Sequence, residues 1–255
     1  AARVDVALLA PFAAALADRA LVLTPSGPWH AVPWAALPTC AGRVVTVAPS
    51  TGLWLRTTGR GGPSDDGAHG GNGVVVAAGP GLADAAGEVA AVAGVHPGAR
   101  RLEGDTATAA ALLRALDGAA LAHVAAHGAF RADNPQLSAL RLADGPLTVY
   151  DLETLRTPPR VLVLTACDVG LSRVHSGEEV QGFAAALLTL GARAVVASVA
   201  PVADDLAAAL AVDLHREMRS HERVAPALAA VQQRWHDRGA RAAATAASFV
   251  CFGGG

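Results

Sequence analysis

Two stretches, LAHVAAHG at residues 121–128 and RVLVLTACDVG at residues 160–170, decide the fold and the chemistry together. Val161, Leu162, Val163 and Leu164 form an unbroken apolar run behind Pro158-Pro159, the pattern of a strand buried on both faces. Cys167 follows at its carboxyl end. AALAHVAAHG is likewise a short apolar run bounded by Gly118 and Gly128. Read as a strand, it puts His123 and His127 on one face, because side chains repeat every two residues. In open parallel α/β sheets, ligands and chemistry gather beyond the carboxyl ends of the strands. A histidine and a cysteine at two such ends lead to the expectation that His127 and Cys167 meet in space.

Outward from these stretches, strands and helices alternate. Residues 5–19 read as a helix with Pro11 inside it, followed by the apolar run ALVLTP and a proline-broken segment with two tryptophans that leads into a Val-rich strand at 43–48. Trp29, His30 and Trp34 fit aromatic packing under an irregular loop better than a binding site. TTGRGGPSDDGAHGGNG, residues 57–73, is too rich in Gly, Asp and Ser to bury a core and predicts a mobile loop. No Gly-Lys-Ser/Thr follows it, and no strand feeds it, so it is not a phosphate loop. GVVVAAGP reads as a strand, LADAAGEVAAVAG as a helix ending at Gly94, and DTATAAALLRALDG as a helix with Asp105 or Thr106 at its N-cap and Gly118 at its end. The order suggests a crossover within a parallel sheet.

Between the histidine and cysteine stretches, the residues predict a hairpin around Asp144-Gly145 and a short helix near Asp151 to Leu155. LSRVHSGEEVQGFAAALLTLG then reads as a helix, with Ser176 and Glu179 spaced as a capping box, an apolar face of Val180, Phe183, Leu187 and Leu190, and a stop at Gly191. ARAVVASVAP is a further buried strand, two more helices follow, and ASFVCFGGG reads as a last strand. The fold class is therefore α/β, with helices on both faces of a mainly parallel sheet.

Composition narrows the function. At 255 residues the chain is one large domain or two small ones. A net charge of −2 with scattered arginines offers no footprint for nucleic acid. The longest apolar runs are broken by Arg193 and Asp204 and fall short of the ~20 residues that span a bilayer, so no membrane association is expected. Cys40, Cys167 and Cys251 form no CxxC pair, which argues against a zinc ribbon or disulfide framework and for a reducing, cytoplasmic setting. His123 and His127 lack the Glu of a His-Glu-x-x-His helix and a clear third ligand, so no metal is expected.

A thiol attacks a carbonyl carbon as thiolate, and a free cysteine has a pKa of about 8.5, so a nucleophile needs a base beside it. His127 has the side chain to take the thiol proton and return it to the leaving amine. An oxyanion hole is also needed, and backbone N–H groups are the usual donors. Gly128 permits close backbone approach, and the Cys167 N–H is the natural second donor. Each residue also has a plainer reading. Cys167 can be a small core residue, His123 a packed or hydrogen-bonded one, Asp168 a turn residue, and Glu178 and Glu179 dipole and capping residues at a helix start.

LAHVAAHGAF, VLVLTACDVG, GEEVQGFAAALLTLGARAVVASVAPVADD and ASFVCFGG, in this order and spacing, resemble the successive motifs of the CHAT domain, a caspase-like peptidase domain often attached to tetratricopeptide repeats. SGPWHAVPWAAL and GPGLADAAGEVAAV resemble its upstream segments. The resemblance implies a caspase-like three-layer sandwich, with residues 1–58 as the N-terminal part, 59–72 as the glycine-rich loop and 73–255 as the peptidase core. It implies a cysteine endopeptidase that needs no cofactor, with Cys167 as nucleophile, His127 as general acid and base, and a protein substrate. Asp168, Asp204 and Asp205 are candidate substrate-binding acids that favour a basic residue before the cut. Ala200 stands where the family usually has Trp, which bears on subsite shape. No tetratricopeptide repeat lies in the 255 residues, so an upstream repeat or sensor region or a regulatory partner is expected. The rival expectation is a catalytically silent caspase-like interaction module.

Overall fold

The N-terminal helical stretch is interrupted where its proline stands. α1 (Ala2–Leu8) gives way to a 3-10 turn at Ala10–Phe12 and then to α2 (Ala13–Leu16). The Pro11 ring removes an N–H and crowds the preceding turn, so the single helix expected over 5–19 divides there. The structure, a computed structural model, describes residues 1–59, 73–129, 134–165 and 176–255. The glycine-rich segment expected to be mobile lies, from residue 60 to 72, outside the described residues.

β1 (Leu21–Leu23) and β2 (Val45–Val47) flank a series of short 3-10 turns, and α3 (Thr51–Thr57) follows, its first turn capped by Ser50 Oγ, which accepts the Leu53 N–H at 3.2 Å. β3 (Val74–Ala78), α4 (Ala85–Val95), β4 (Arg100–Leu102), α5 (Ala109–Leu116) and β5 (Leu121–Ala125) form the first part of the main crossover series. β6 (Gly128–Ala129), β7 (Ala139–Leu142) and β8 (Gly145–Thr148) make a small antiparallel sheet that includes the hairpin expected at Asp144-Gly145, with α6 (Val149–Leu152) after it. β9 (Val161–Leu164), α7 (Ser176–Leu190), β10 (Ala194–Ser198), α8 (Asp204–Met218), α9 (Val224–His236), α10 (Ala240–Ser248) and β11 (Phe249–Gly253) complete the order. The side chains of Ser176 and Glu179, expected to cap α7, lie outside those described.

The large sheet runs β1-β2-β11-β10-β9-β5-β3-β4. Every neighbouring pair is parallel except β10 with β11, so two parallel groups meet at one antiparallel seam. Alternation along the strands then divides the core. Ala122, Val124, Leu162, Leu164, Val195 and Phe252 pack with α5 and α7 through Leu112, Leu116, Phe183 and Leu187. Leu121, Val163, Val196 and Phe249 pack on the other face against Leu210 and Leu214 of α8 and Leu228 and Trp235 of α9. Ala125, Val76 and Ala78 continue that second face under α4. Helices thus cover both faces of a mainly parallel sheet, as the alternation of apolar runs requires.

Two helix ends differ from expectation for local reasons. α4 continues through Gly94 to Val95, and the left-handed turn falls at Gly98, where φ is +85°. α5 starts after Thr108, whose Oγ1 accepts the Ala111 N–H at 3.1 Å, while Gly104–Thr106 forms a separate 3-10 turn. The Thr108 hydroxyl is the first one placed to satisfy an orphan donor of that helix.

Candidate active site

β5 and β9 are adjacent and parallel, with Leu121 opposite Val161 and Val124 opposite Leu164. The ladder continues one step, since the Thr165 N–H donates to the Val124 carbonyl at 3.2 Å. Both strands therefore end side by side at the carboxyl edge of the sheet. His127 lies two residues past the end of β5, half-buried. Cys167 and Asp168 lie outside the described residues, two and three positions beyond Thr165.

The chain at His127 is held from two directions. The Arg141 N–H donates to the His127 carbonyl at 2.8 Å, and Gly128 stands opposite Leu140 in the small sheet. Antiparallel pairs alternate between hydrogen-bonded and non-hydrogen-bonded positions. With His127 and Arg141 in the bonded position, Gly128 takes the alternate one, and its N–H is directed away from β7. On the other side the β3–α4 loop crosses the strand end, anchored by the Gly79 N–H to the Ala125 carbonyl at 2.7 Å. A methyl group on Gly79 would stand 2.5 Å from the Arg141 carbonyl oxygen and 2.7 Å from Ala126 Cβ, so only glycine fits. Gly81, at φ +86°, presents its Cα to the imidazole, and a Cβ there would stand 3.4 Å from His127 Nε2. An open groove of about 550 Å³ runs alongside, lined by Pro80, Ala129, Ala139, Arg141, Leu142 and Pro146.

The other predicted site residues fall nearby or elsewhere on this edge. Asp204 and Asp205 form the first turn of α8, which follows β10, and so stand at the same carboxyl edge as His127. Negative charge is favourable at a helix N-terminus, which accounts for both residues there. Asp205 is exposed and lies 3.8 Å from Arg241. Ala200 accepts a hydrogen bond on its carbonyl from Ser198 Oγ at 2.6 Å, just past the end of β10.

His123 has a different environment, one the local pattern did not reveal. It is fully buried in β5, and its Nδ1 lies 3.1 Å from Nε2 of His215 in α8, which is also fully buried. His215 Nδ1 lies in turn 3.0 Å from Nε2 of His96, at the end of α4. The inner end of the chain is Glu88 of α4, whose Oε1 lies 3.0 Å from His123 Nε2. That contact is close but off-axis, too bent for a well-formed hydrogen bond, and neither atom has another partner among the described residues. With the proton on Nε2 of His96 and of His215, both ring-to-ring hydrogen bonds run one way, from His96 to His215 and from His215 to His123. Burial first, then the charge of His123, holds His215 well below the usual histidine range. Burial, then Arg219, lowers His96 as well. The rings stand in series, joined by two ring-to-ring hydrogen bonds, and among the described residues no three metal-ligating side chains converge. The signals in the sequence were a glutamate at a position α4 buries and a histidine at a core position of α8.

Comparison with known proteins agrees with this architecture. Separase in its securin complex from Saccharomyces cerevisiae superposes with a TM-score of 0.64 at 14% identity, over 92% of this chain and 15% of that one. The Arg-specific cysteine proteinase gingipain R superposes with a TM-score of 0.56 at 14% identity, over 82% of this chain and 54% of that one. The complex of pro- and mature domains of RgpB from Porphyromonas gingivalis gives 0.55 at 13% identity, over 82% and 54%. This chain therefore spans a small part of separase and about half of gingipain, and shares with them the caspase-like fold of cysteine peptidases. No curated protein matches the sequence. The family model described as the CHAT domain matches residues 1–253, nearly the whole length, and with the strand order and the histidine at the carboxyl edge it places the chain in the CHAT domain family.

Proposed function

We propose that the protein is a cysteine endopeptidase in which Cys167 is the nucleophile and His127 the general acid and base. The observation that carries this reading is the register of β5 and β9. Partners across that pair are 40 residues apart (121 to 161, 124 to 164), and His127 and Cys167 are also 40 apart (127 to 167). A register carried three residues beyond its last pair would bring the two together at the carboxyl edge, where parallel sheets hold their chemistry, and this equal spacing is what supports the reading.

In the reaction, His127 withdraws the thiol proton as sulfur attacks the scissile carbonyl, then returns it to the leaving amine. Oxygen of the tetrahedral intermediate is received by the N–H of Gly128 and that of Cys167. The direction of the Gly128 N–H, away from β7, supports its part in this. An extended protein segment occupies the groove past Arg141, and Asp168, Asp204 and Asp205 favour a basic residue before the cut. A reducing, cytoplasmic compartment suits this chemistry, and the two described cysteines, Cys40 and Cys251, are free thiols. An upstream repeat or sensor region, or a partner protein, controls access to the groove.

The test is cleavage of a positional-scanning peptide library by the wild type and by Cys167→Ala and His127→Ala variants. The reading expects cleavage with a defined residue before the cut, reduced by about 10³-fold or more in each variant, since nucleophile and base act as a unit. Unchanged cleavage in Cys167→Ala removes the dyad. Absence of cleavage in the wild type, together with no preferential labelling of Cys167 by iodoacetamide, favours the silent interaction module.

A further inference from the structure

The opposite edge of the sheet carries a second concavity. A cavity of about 310 Å³ opens at the amino-terminal ends of the central strands, lined by Arg160, Arg193 and Arg223 together with Ala120, His221 and Glu222. Arg160 immediately precedes β9, Arg193 immediately precedes β10, and Arg223 is the N-cap of α9. The three are remote in sequence, so their convergence is a product of the fold and could not be read as a basic run.

Charge on this wall is unbalanced. Among the described residues no carboxylate forms an ion pair with any of the three guanidiniums, whereas Arg234 and Arg238 rest on Glu217 and Asp213 at 2.7 and 3.0 Å. His221 is engaged with Glu217 at 3.1 Å. Glu222 is the one acidic side chain lining the cavity, and it is exposed, so three arginine side chains face one side-chain carboxylate, with Gly254 and Gly255 beside them. Arg223 offers no side-chain cap to α9, whose first N–H groups have no intrahelical acceptor and add partial positive charge. The Arg223 charge also reaches the sheet. Burial pushes the Cys251 thiol in β11 up to about 12, and Arg223 is the group that opposes the rise.

We propose that this cavity is a binding site for a small phosphorylated anion with two or more phosphoryl groups. Guanidinium forks match phosphate oxygens in paired hydrogen bonds, and arginines on three separate elements offer enough forks for a ligand with more than one phosphoryl group. The volume lies at the lower end of the range for small-ligand sites. The site lies across the sheet from His127 and does not depend on the catalytic reading.

The test is titration of the 255-residue chain at low ionic strength with tripolyphosphate, pyrophosphate, inorganic phosphate and citrate, read by calorimetry and by thermal shift. Saturable one-to-one binding is expected for tripolyphosphate and pyrophosphate, with inorganic phosphate and citrate weaker. In Arg193→Gln/Arg223→Gln, two exposed positions with no ion pair among the described residues, affinity should fall roughly 10-fold or more, as loss of charge-assisted hydrogen bonds predicts. An Arg3→Gln/Arg19→Gln control should bind as the wild type does. Equal affinity in the Arg193/Arg223 variant, or citrate binding as tightly as tripolyphosphate, overturns the proposal.

Discussion

The interior of β5 and its exit carry the same residue type four positions apart, and the fold gives the two histidines opposite surroundings. His123 is sealed between the sheet, α4 and α8, with each ring nitrogen facing a buried partner. His127, past the end of the strand, has its backbone held by Arg141 and its imidazole Nε2 and Cδ2 beside Gly81, next to an open groove. Distance from the strand end, rather than residue type, separates a histidine packed between layers from one beside an open groove, where the proposed dyad needs it.

The comparison can be broken most forcefully at the interior. His123→Leu leaves the buried Glu88 carboxyl without its imidazole, and loss of one member of a buried pair costs about 3–5 kcal/mol. Urea unfolding should show that loss, while Glu88→Leu/His123→Leu should recover part of it by removing the orphaned group as well. A double variant no more stable than the single one would contradict the pairing.

A smaller effect is expected where the β3–α4 loop crosses the exit. Gly79→Ala drives a methyl group into the Arg141 carbonyl and Ala126, an overpacking cost of about 1–3 kcal/mol. Gly81→Ala meets a strained left-handed φ worth about 1–2 kcal/mol, and it presses on the imidazole. The account predicts that Gly81→Ala lowers kcat more than Gly79→Ala does, despite the milder loss of stability. The reverse ranking would detach the loop from His127.

The smallest effect is the pH dependence of the interior. His215 and His96 are held below the ordinary value of 6.5, so the native protein binds fewer protons than the unfolded chain once pH falls under 6.5. Their contribution is complete above that value and is lost as pH drops from 6.5 toward the lowered folded values. Tm measured from about pH 7.5 to about pH 5 should therefore decline, and the decline should flatten in His215→Gln. An unchanged slope would show that the chain of rings does not exclude protons.

What the sequence made legible follows from periodicity. The runs VLVL at 161–164 and AVVAS at 194–198 announce buried strands because both faces are apolar, and Gly118 and Gly191 mark helix ends by their positive φ. β4 gives no such signal, because two of its three residues are Arg100 and Arg101, as an edge position allows. α10 is hidden in the alanine-rich ARAAATAAS, whose small residues form no distinct apolar stripe to the eye, and the antiparallel seam of β11 depends on pairing partners far away in sequence. At the candidate site, His127 and Gly128 were legible as a motif at a strand end. The contact of Gly81 with the imidazole and the sequence of rings from Glu88 to His96 were not, because each joins residues that only the crossover brings together.

The central claim is most directly tested by the rate at which iodoacetamide alkylates Cys167 across the acid-to-alkaline range, about pH 5 to 9, in the wild type and in His127→Ala. Cys40 and Cys251 serve as internal references, since burial pushes their thiols up to about 11 and about 12. The account predicts that Cys167 reacts fastest of the three, with a midpoint below the free-cysteine value of about 8.5 that moves up toward it when His127 is removed. A Cys167 that reacts no faster than the buried pair, or a midpoint that ignores the loss of His127, would contradict it.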